Sequence, residues 1–177
     1  GAVAFGDGKL YDKLYNLKNF GIRGEELVVS VGANAKMNEF SAVMGLCNLR
    51  HVEDDIKKRG FIDAEYRQHL GKIQSVRFLY ENPDLKKNYG YFPILIEGKE
   101  YLRRDKLYDL LKEEGYYTRK YFYPLTSDQA CFKNKYRNCQ LEAARKLTKQ
   151  VLVLPLYDDM EKSAVENISK IIKEFFQ

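Results

Sequence analysis

Few residues of this 177-residue chain have the types and spacings that chemistry requires. Cys47 and His51 stand at positions i and i+4, so on a helix both could contact one metal ion. Two ligands are too few for a structural zinc site, which takes four, so a buried thiol beside a boundary histidine is the favoured interpretation. The neighbouring acids Asp54 and Asp55 would point in different directions on a helix and indicate a solvated surface.

The signatures of common enzymes are missing from the sequence. It contains no GxGxxG, no GxxxxGK[ST], no GxSxG and no HExxH motif. Cys47, Cys131 and Cys139 form no CxxC pair, and their odd number argues against a disulfide framework and for a reducing, cytoplasmic location. The residues by themselves therefore predict no metal site, and they leave open a non-catalytic α+β module that binds a ligand or a partner.

Composition and charge are typical of a folded globular protein. Hydrophobic residues make up 45% of the chain and charged residues 31%, which excludes collagen-like, low-complexity and disordered classes. No apolar run approaches the roughly 18 residues of a membrane span, so no membrane partner is expected. The net charge is +5, and basic residues lie beside acidic ones along the whole chain. This mixing argues against nucleic acid as a partner and is compatible with small anionic substrates.

The periodicity of apolar residues predicts the elements that must position any site. Helices are predicted over residues 9–18, 103–114, 138–150 and 160–176. Two more are predicted between the first and the second of these: one begins at an N-cap, Asn38, and carries Cys47 and His51, and the next covers residues 52–73. Strands are predicted over residues 2–5, 75–80, 89–96, 116–123 and 151–154. Gly60 should interrupt the third helix at a cost of about 1 kcal/mol relative to alanine. Pro93 should place its strand at an edge or a bulge of the sheet.

The order of these elements divides the chain into three segments. Residues 1–36 are rich in glycine and should form turns. Residues 37–74 form a long helical arm, of a kind that packs along the seam between two lobes or two subunits. Residues 75–177 follow the order β, β, α, β, α, β, α, which predicts a small α+β domain. Its sheet would have about four strands and would be covered by helices on one face.

Short motifs in a fixed order resemble those of one enzyme family. They are GAVAF at 1–5, NFGI at 19–22, GANAKMNE at 32–39, AVMGL at 42–46, GYYTR at 115–119, YFYPL at 121–125 and VLPLY at 153–157. In this order they resemble the C-terminal half of the DegT/DnrJ/StrS family of nucleotide-sugar aminotransferases, over almost the whole chain. The resemblance implies an α/β fold, namely the C-terminal part of a fold type I transferase that depends on pyridoxal phosphate (PLP).

The same resemblance implies an activity and its partners. Enzymes of this family transfer an amino group, typically from glutamate, to a ketone of a nucleotide-linked sugar for cell-surface polysaccharides or antibiotic sugars. PLP supplies the electron sink, and the protein, a homodimer with sites shared between subunits, binds and orients it. The Schiff-base lysine of the family would lie just upstream of Gly1, so we assign no catalytic residue and expect this chain alone to be inactive. A pyridoxamine-phosphate-dependent sugar dehydratase, which lacks that lysine, is the alternative enzyme.

The resemblance assigns two residues to the cofactor. Asn34 matches the asparagine whose amide reaches the PLP phosphate of the neighbouring subunit, and Gly32 would allow a close approach. Lys36 stands where the family has arginine, so it keeps the charge and loses the planar fork. The alternative for Asn34 is an ordinary turn asparagine in a glycine-rich loop.

The resemblance also assigns three residues to the substrate side. Tyr121 and Tyr123 would share one face of a strand, where they could stack on a base or a sugar or donate to a diphosphate. Thr126 stands where many relatives have histidine. The alternative is a strand that carries two packed tyrosines without a binding role.

Overall fold

The chain forms two compact units. The computed structural model describes residues 1–132, 135–136 and 139–177. The first unit is Gly1–Val52 and the second is Glu53–Gln177. Among the described residues, no helix combines the length and the apolar character that a membrane crossing requires.

The first unit contains two helices and a short hairpin. Its elements are α1 (Leu10–Lys18), β1 (Ile22–Gly24), β2 (Leu27–Val28) and α2 (Glu39–Leu49), with β1 and β2 antiparallel. Residues 1–5 form no strand and Val3 is 72% exposed, so the buried strand predicted there is wrong. The hairpin was missed because its strands are too short to show an alternating pattern.

Two glycines shape the loop that follows α1. Gly21 has a φ of +73°, as expected for a glycine that ends a helix. A Cβ at Gly32 would lie 2.4 Å from the backbone oxygen of Asn16 and 2.8 Å from the nitrogen of Gly21. The close approach that Gly32 allows is therefore between two backbone segments of this unit.

Helix α2 begins as predicted, but its environment differs from the prediction. The side chain of Asn38 accepts a hydrogen bond of 2.8 Å from the backbone nitrogen of Ser41, which confirms the N-cap. No residue of α2 is buried in this structure, and Phe40 is 88% exposed. Cys47 is exposed as well, and α2 ends before His51, so the predictions of a buried thiol and of a shared helix face are wrong.

No group of three or more potential metal ligands occurs in the described part of the chain.

In its described residues, the second unit is a three-stranded antiparallel sheet with four helices. The strands are β3 (Val76–Phe78), β4 (Phe92–Ile96) and β5 (Val151–Leu154), in the order β3-β4-β5. The helices are α3 (Val52–Leu70), α4 (Arg104–Glu113), α5 (Glu142–Gln150) and α6 (Lys162–Phe176), and short 3-10 turns cover Gly98–Arg103, Thr126–Asp128 and Ala130–Phe132. The start predicted for α5, at Asn138, lies outside the described residues.

One face of the sheet carries the main core. Phe92, Ile94 and Ile96 of β4 point to this face, where they pack with apolar side chains of the helices. The helical residues of this core are Ile62, Tyr66, Leu70, Leu107, Leu111, Val165, Ile168 and Ile172. Because these residues belong to α3, α4 and α6, these three helices lie on one face of the sheet. Helix α5 supplies no residue to this core, so the predicted cover on one face holds for α4 and α6 of the small domain.

The fourth strand, predicted over residues 116–123, contributes a single pairing. The backbone nitrogen of Arg119 donates to the oxygen of Val153 at 3.0 Å, and the backbone oxygen of Arg119 accepts from the nitrogen of Val153 at 2.7 Å. Beyond it the chain turns, since the nitrogen of Tyr123 donates to the oxygen of Lys120 at 2.5 Å. The residues that follow Arg119 therefore leave the sheet instead of extending it.

Two predictions about helix and strand breakers are also wrong, one because of side-chain packing and one because of strand pairing. Gly60 does not interrupt α3, which is continuous from Val52 to Leu70. A Cβ at Gly60 would lie 3.1 Å from the ring of Tyr89, so the glycine makes room for that ring. Pro93 lies in the central strand β4. It stands next to Ile94, the last residue of β4 that pairs with β3, so pairing with β3 does not require the N–H that proline lacks.

Candidate functional site

In the first unit, the loop that carries Asn34 is held by its backbone. Ala33 donates to the oxygen of Leu17 at 2.8 Å, and Ala35 donates to the oxygen of Lys18 at 2.9 Å. These bonds satisfy carbonyl groups at the end of α1, which have no partner inside the helix. The side chain of Asn34 is exposed and has no hydrogen-bond partner among the residues described. Its amide is therefore free to donate to a ligand.

Lys36 lies two residues further along the same loop. Its ammonium group is 5.3 Å from the centre of the Phe20 ring. Lys36 lines an open cavity of about 690 Å³ together with Val3 and Phe5, whereas Asn34 is not part of that lining. The NH2 of an exposed amide and an exposed ammonium group can both donate hydrogen bonds, which suits the oxygens of a phosphate. The donor set therefore fits the phosphate of the cofactor.

In the second unit, the predicted substrate residues lie on a turn that we name the aromatic turn, residues 120–123. The ring of Tyr121 stacks on that of Phe122 at 4.7 Å and meets the ring of Tyr91 edge-on at 5.7 Å. Tyr121 is 38% exposed and Tyr123 is 49% exposed. Both tyrosines line one cavity of about 470 Å³. The structure thus brings them together through a turn, and the shared strand face that was expected is wrong.

Two basic side chains line the cavity of the aromatic turn. Arg119 and Lys120 line it together with Tyr108, and the ammonium group of Lys120 lies 4.2 Å from the centre of the Tyr108 ring. The same ammonium group is paired with the carboxylate of Asp105 at 2.6 Å. Burial raises the pKa of this carboxyl group, but the hydrogen bond from Lys120 and the charge of Arg104 outweigh it, so the net shift is downward. Asp105 therefore stays ionised at neutral pH.

Thr126 lies apart from this cavity. It begins the short turn Thr126–Asp128 and is exposed, and it is not among the residues that line the cavity of the aromatic turn. In the same turn the carboxylate of Asp128 is paired with Arg145 at 2.5 Å. The hydrogen bond from Arg145 lowers the pKa of Asp128.

Sequence reasoning missed the residues at the start of α4. Arg104, Asp105 and Tyr108 contact the aromatic turn, but a helical pattern assigns them only to a surface or a boundary. One signal was present, because a cation at the first position of a helix is unfavourable with respect to the helix dipole. Such a residue needs acceptors elsewhere in the molecule, and the sequence does not reveal which ones.

The fold of this chain matches that of known aminotransferases. Helicobacter pylori PseC, an aminotransferase involved in the biosynthesis of pseudoaminic acid, is matched with a TM-score of 0.85 and 20% identity, over 96% of this chain and 47% of that chain. DesI, crystallised in the presence of its TDP-sugar product, is matched with a TM-score of 0.85 and 26% identity, over 95% of this chain and 43% of that chain.

A family model matches residues 1–173, and the chain belongs to the DegT/DnrJ/EryC1/StrS aminotransferase family. This membership confirms the resemblance seen in the motifs, and the structural matches confirm the fold class as the C-terminal part of a fold type I transferase that uses PLP. The dTDP-4-amino-4,6-dideoxy-D-glucose transaminase of Escherichia coli is 37% identical over 97% of this chain and 47% of its own length. The chain thus spans about half the length of the curated relatives that it matches.

Proposed function

We propose that this chain is the C-terminal portion of a PLP-dependent aminotransferase that acts on a nucleotide-linked keto sugar. The observation that carries the proposal is the 37% identity with the Escherichia coli transaminase across nearly the whole chain. A Shigella dysenteriae relative with the same name is 33% identical over 98% of the chain. The substrate is accordingly a dTDP-linked 6-deoxy sugar with a ketone at C4. Glutamate is the amino donor, and the amino sugar enters a cell-surface polysaccharide or an antibiotic.

Asn34 and Lys36 hold the phosphate of the cofactor in this proposal. The free amide of Asn34 donates to a phosphate oxygen, and Lys36 adds a positive charge close by. When bound, PLP supplies the electron sink on which amino transfer depends. The task of this chain is then to hold and orient that group, because the family's Schiff-base lysine has no counterpart among the residues that we assign.

The aromatic turn binds the nucleotide end of the substrate. Tyr121 and Tyr123 offer apolar ring faces to a base or a sugar, and both hydroxyl groups can donate. Arg119 and Lys120 bring positive charge to the same cavity, which suits a diphosphate. Thr126 does not line this cavity, and in this proposal its hydroxyl group contacts a part of the substrate outside it.

In this proposal the chain is divided into three segments. Residues 1–36 belong to the large PLP-binding domain and its interface loop, residues 37–74 are a helical arm, and residues 75–177 are the small domain. The exposed apolar residues of α2 support a homodimer in which the active site is shared between subunits. The enzyme works in the cytoplasm, where three exposed free cysteines remain reduced.

An assay of amino transfer tests the proposal. Full-length protein is incubated with PLP, glutamate and the dTDP-linked 4-keto-6-deoxy sugar, and mass spectrometry follows the sugar. The expected product carries an amino group in place of the ketone, and one 2-oxoglutarate forms for each sugar converted. Loss of water from the sugar without gain of nitrogen would identify the dehydratase instead. A protein that neither retains PLP nor converts dTDP-, UDP- or GDP-linked keto sugars would be a non-catalytic module.

A further inference from the structure

Arg104 carries a positive charge at a buried position where its own helix does not stabilise that charge. Arg104 is only 2% exposed, and it is the first residue of α4, where the helix dipole disfavours a cation. Its guanidinium group donates to the backbone oxygens of Thr148 at 3.1 Å and of Val151 at 2.9 Å. These acceptors lie at the end of α5 and at the beginning of β5, so hydrogen bonds tie Arg104 to both elements.

The remaining surface of the Arg104 guanidinium faces the aromatic turn. Its central carbon is 5.0 Å from the centre of the Tyr123 ring. Its Nε is 2.8 Å from the carboxylate of Asp105, which also pairs with Lys120 at 2.6 Å. The ammonium group of Lys120 in turn lies over the ring of Tyr108. Both ends of the aromatic turn, Lys120 and Tyr123, are therefore held by side chains from the start of α4.

The aromatic turn needs such support. Its tyrosines are between 38% and 49% exposed, and the backbone pairing of Arg119 with Val153 lies just before it. An exposed turn with few backbone hydrogen bonds samples many conformations, and those that move a tyrosine ring away remove its contact with a ligand. A binding residue gives its full contribution only when a supporting shell locks its rotamer.

We propose that Arg104, Asp105 and Tyr108, which we name the α4 clamp, are positioning residues that fix the aromatic turn for the nucleotide end of the substrate. The identity of the substrate rests on the proposed function, whereas the clamp itself rests on the contacts within this unit. Arg104 orients Tyr123 through its ring face, and Asp105 ties Lys120 to the same arginine. Tyr108 covers the ammonium group of Lys120 from the side of α4.

Hydrogen–deuterium exchange in the full-length protein tests the clamp independently of activity. Asp105→Asn removes the charge that bridges Arg104 and Lys120 and keeps the shape of the side chain. We expect the amides of Arg119 and Tyr123, which donate to Val153 and Lys120, to exchange on the order of tenfold faster, because the turn loses an ionic contact that holds it. Asp105→Glu should restore part of the protection. Unchanged exchange in Asp105→Asn would overturn the proposal.

Arg103 provides a matched control for the buried arginine. Its guanidinium group lies 4.3 Å from the Phe175 ring and donates to the oxygen of Phe175 at 2.6 Å, so it makes the same kinds of contact away from the aromatic turn. Arg104→Lys should loosen residues 119–123, because an ammonium group cannot replace the planar fork, and Arg103→Lys should leave them protected. Equal effects of the two substitutions on this segment would contradict a specific role for Arg104.

Steady-state kinetics test whether the clamp serves substrate binding. In Asp105→Asn we expect the KM for the nucleotide sugar to rise about tenfold, with kcat, the KM for glutamate and the PLP content unchanged. A loosened turn with an unchanged sugar KM would overturn the positioning role. If the unsubstituted protein transfers no amino group at all, the proposed function fails, and the exchange comparison still decides whether the clamp holds the turn.

Discussion

The hydroxyl group of Tyr66 donates a hydrogen bond of 3.0 Å to the backbone oxygen of Pro155, which joins α3 to the segment that follows β5. The Tyr66 side chain is fully buried, and its ring stacks on that of Phe92 at a centroid distance of 4.8 Å. Burial raises the pKa of the Tyr66 phenol, so the hydroxyl group keeps its proton and remains a donor at neutral pH. One side chain thus combines apolar packing with a polar tie between distant segments.

Replacing Tyr66 with phenylalanine should destabilise the protein while the core packing is kept. The substitution leaves the oxygen of Pro155 without its donor, which costs about 1 to 2 kcal/mol. Denaturant unfolding of the full-length protein measures the change, with Tyr117→Phe as the control, because Tyr117 is 66% exposed. Equal stability of the two variants would show that the bond to Pro155 adds nothing measurable.

Replacing Gly32 with alanine should destabilise the first unit. The added Cβ would meet the backbone oxygen of Asn16 at 2.4 Å, and a backbone atom cannot move aside as a flexible side chain can. We expect a loss of about 1 to 3 kcal/mol, in the range of an overpacked site. Gly24→Ala is the matched control, since a Cβ there meets no atom within 4 Å. Thermal unfolding compares the two, and a harmless Gly32→Ala would contradict the tight backbone contact.

Replacing Asn34 should weaken retention of PLP by the full-length protein. Asn34→Ala removes a donor to the phosphate, for which we expect a loss in affinity of about tenfold. Asn34→Asp should weaken binding further, because a carboxylate repels the phosphate at the same position. The PLP that remains after dialysis, measured by absorbance, ranks the variants. If both retain the cofactor as the unsubstituted protein does, Asn34 does not hold the phosphate.

The stability of the protein should depend on the charge of Asp105 in acid. Its pKa in the folded state lies below the ordinary value of 3.8, so its contribution is present above that value and is lost as the pH falls through the folded pKa. We expect unfolding free energies measured from about pH 6 down to about pH 2 to fall less steeply in Asp105→Asn. Asp109→Asn, on the solvent side of the same helix, serves as the control. Parallel curves for all three proteins would refute the prediction.

The elements that the sequence predicted best are those whose signal is local. Strand β5 has the predicted bounds, because a short apolar run is stopped by Pro155. Asn38 caps α2 as expected, since the cap is a contact between residues three positions apart. The ordered motifs predicted the family and the fold class, and the comparisons with known proteins confirmed both.

The elements that the sequence missed depend on contacts between distant residues. Residues 116–123 alternate like a strand, yet only Arg119 finds a partner in the sheet, and the chain then turns. Gly60 resembles a helix breaker until the ring of Tyr89 is placed beside it. In both cases a local propensity of about 1 kcal/mol is outweighed by packing that the local pattern does not encode.

The sequence by itself therefore determined the family, the kind of cofactor and most of the helices, because motif order and periodicity are properties of the chain. The tertiary structure alone decided how the aromatic turn is held. Arg104 lies 44 residues from Thr148 along the chain, and Asp105 lies 15 residues from Lys120. Which cation meets which ring or carboxylate follows from how α4, α5 and β5 pack around one sheet. That packing is set by the whole core, and no local stretch of sequence specifies it.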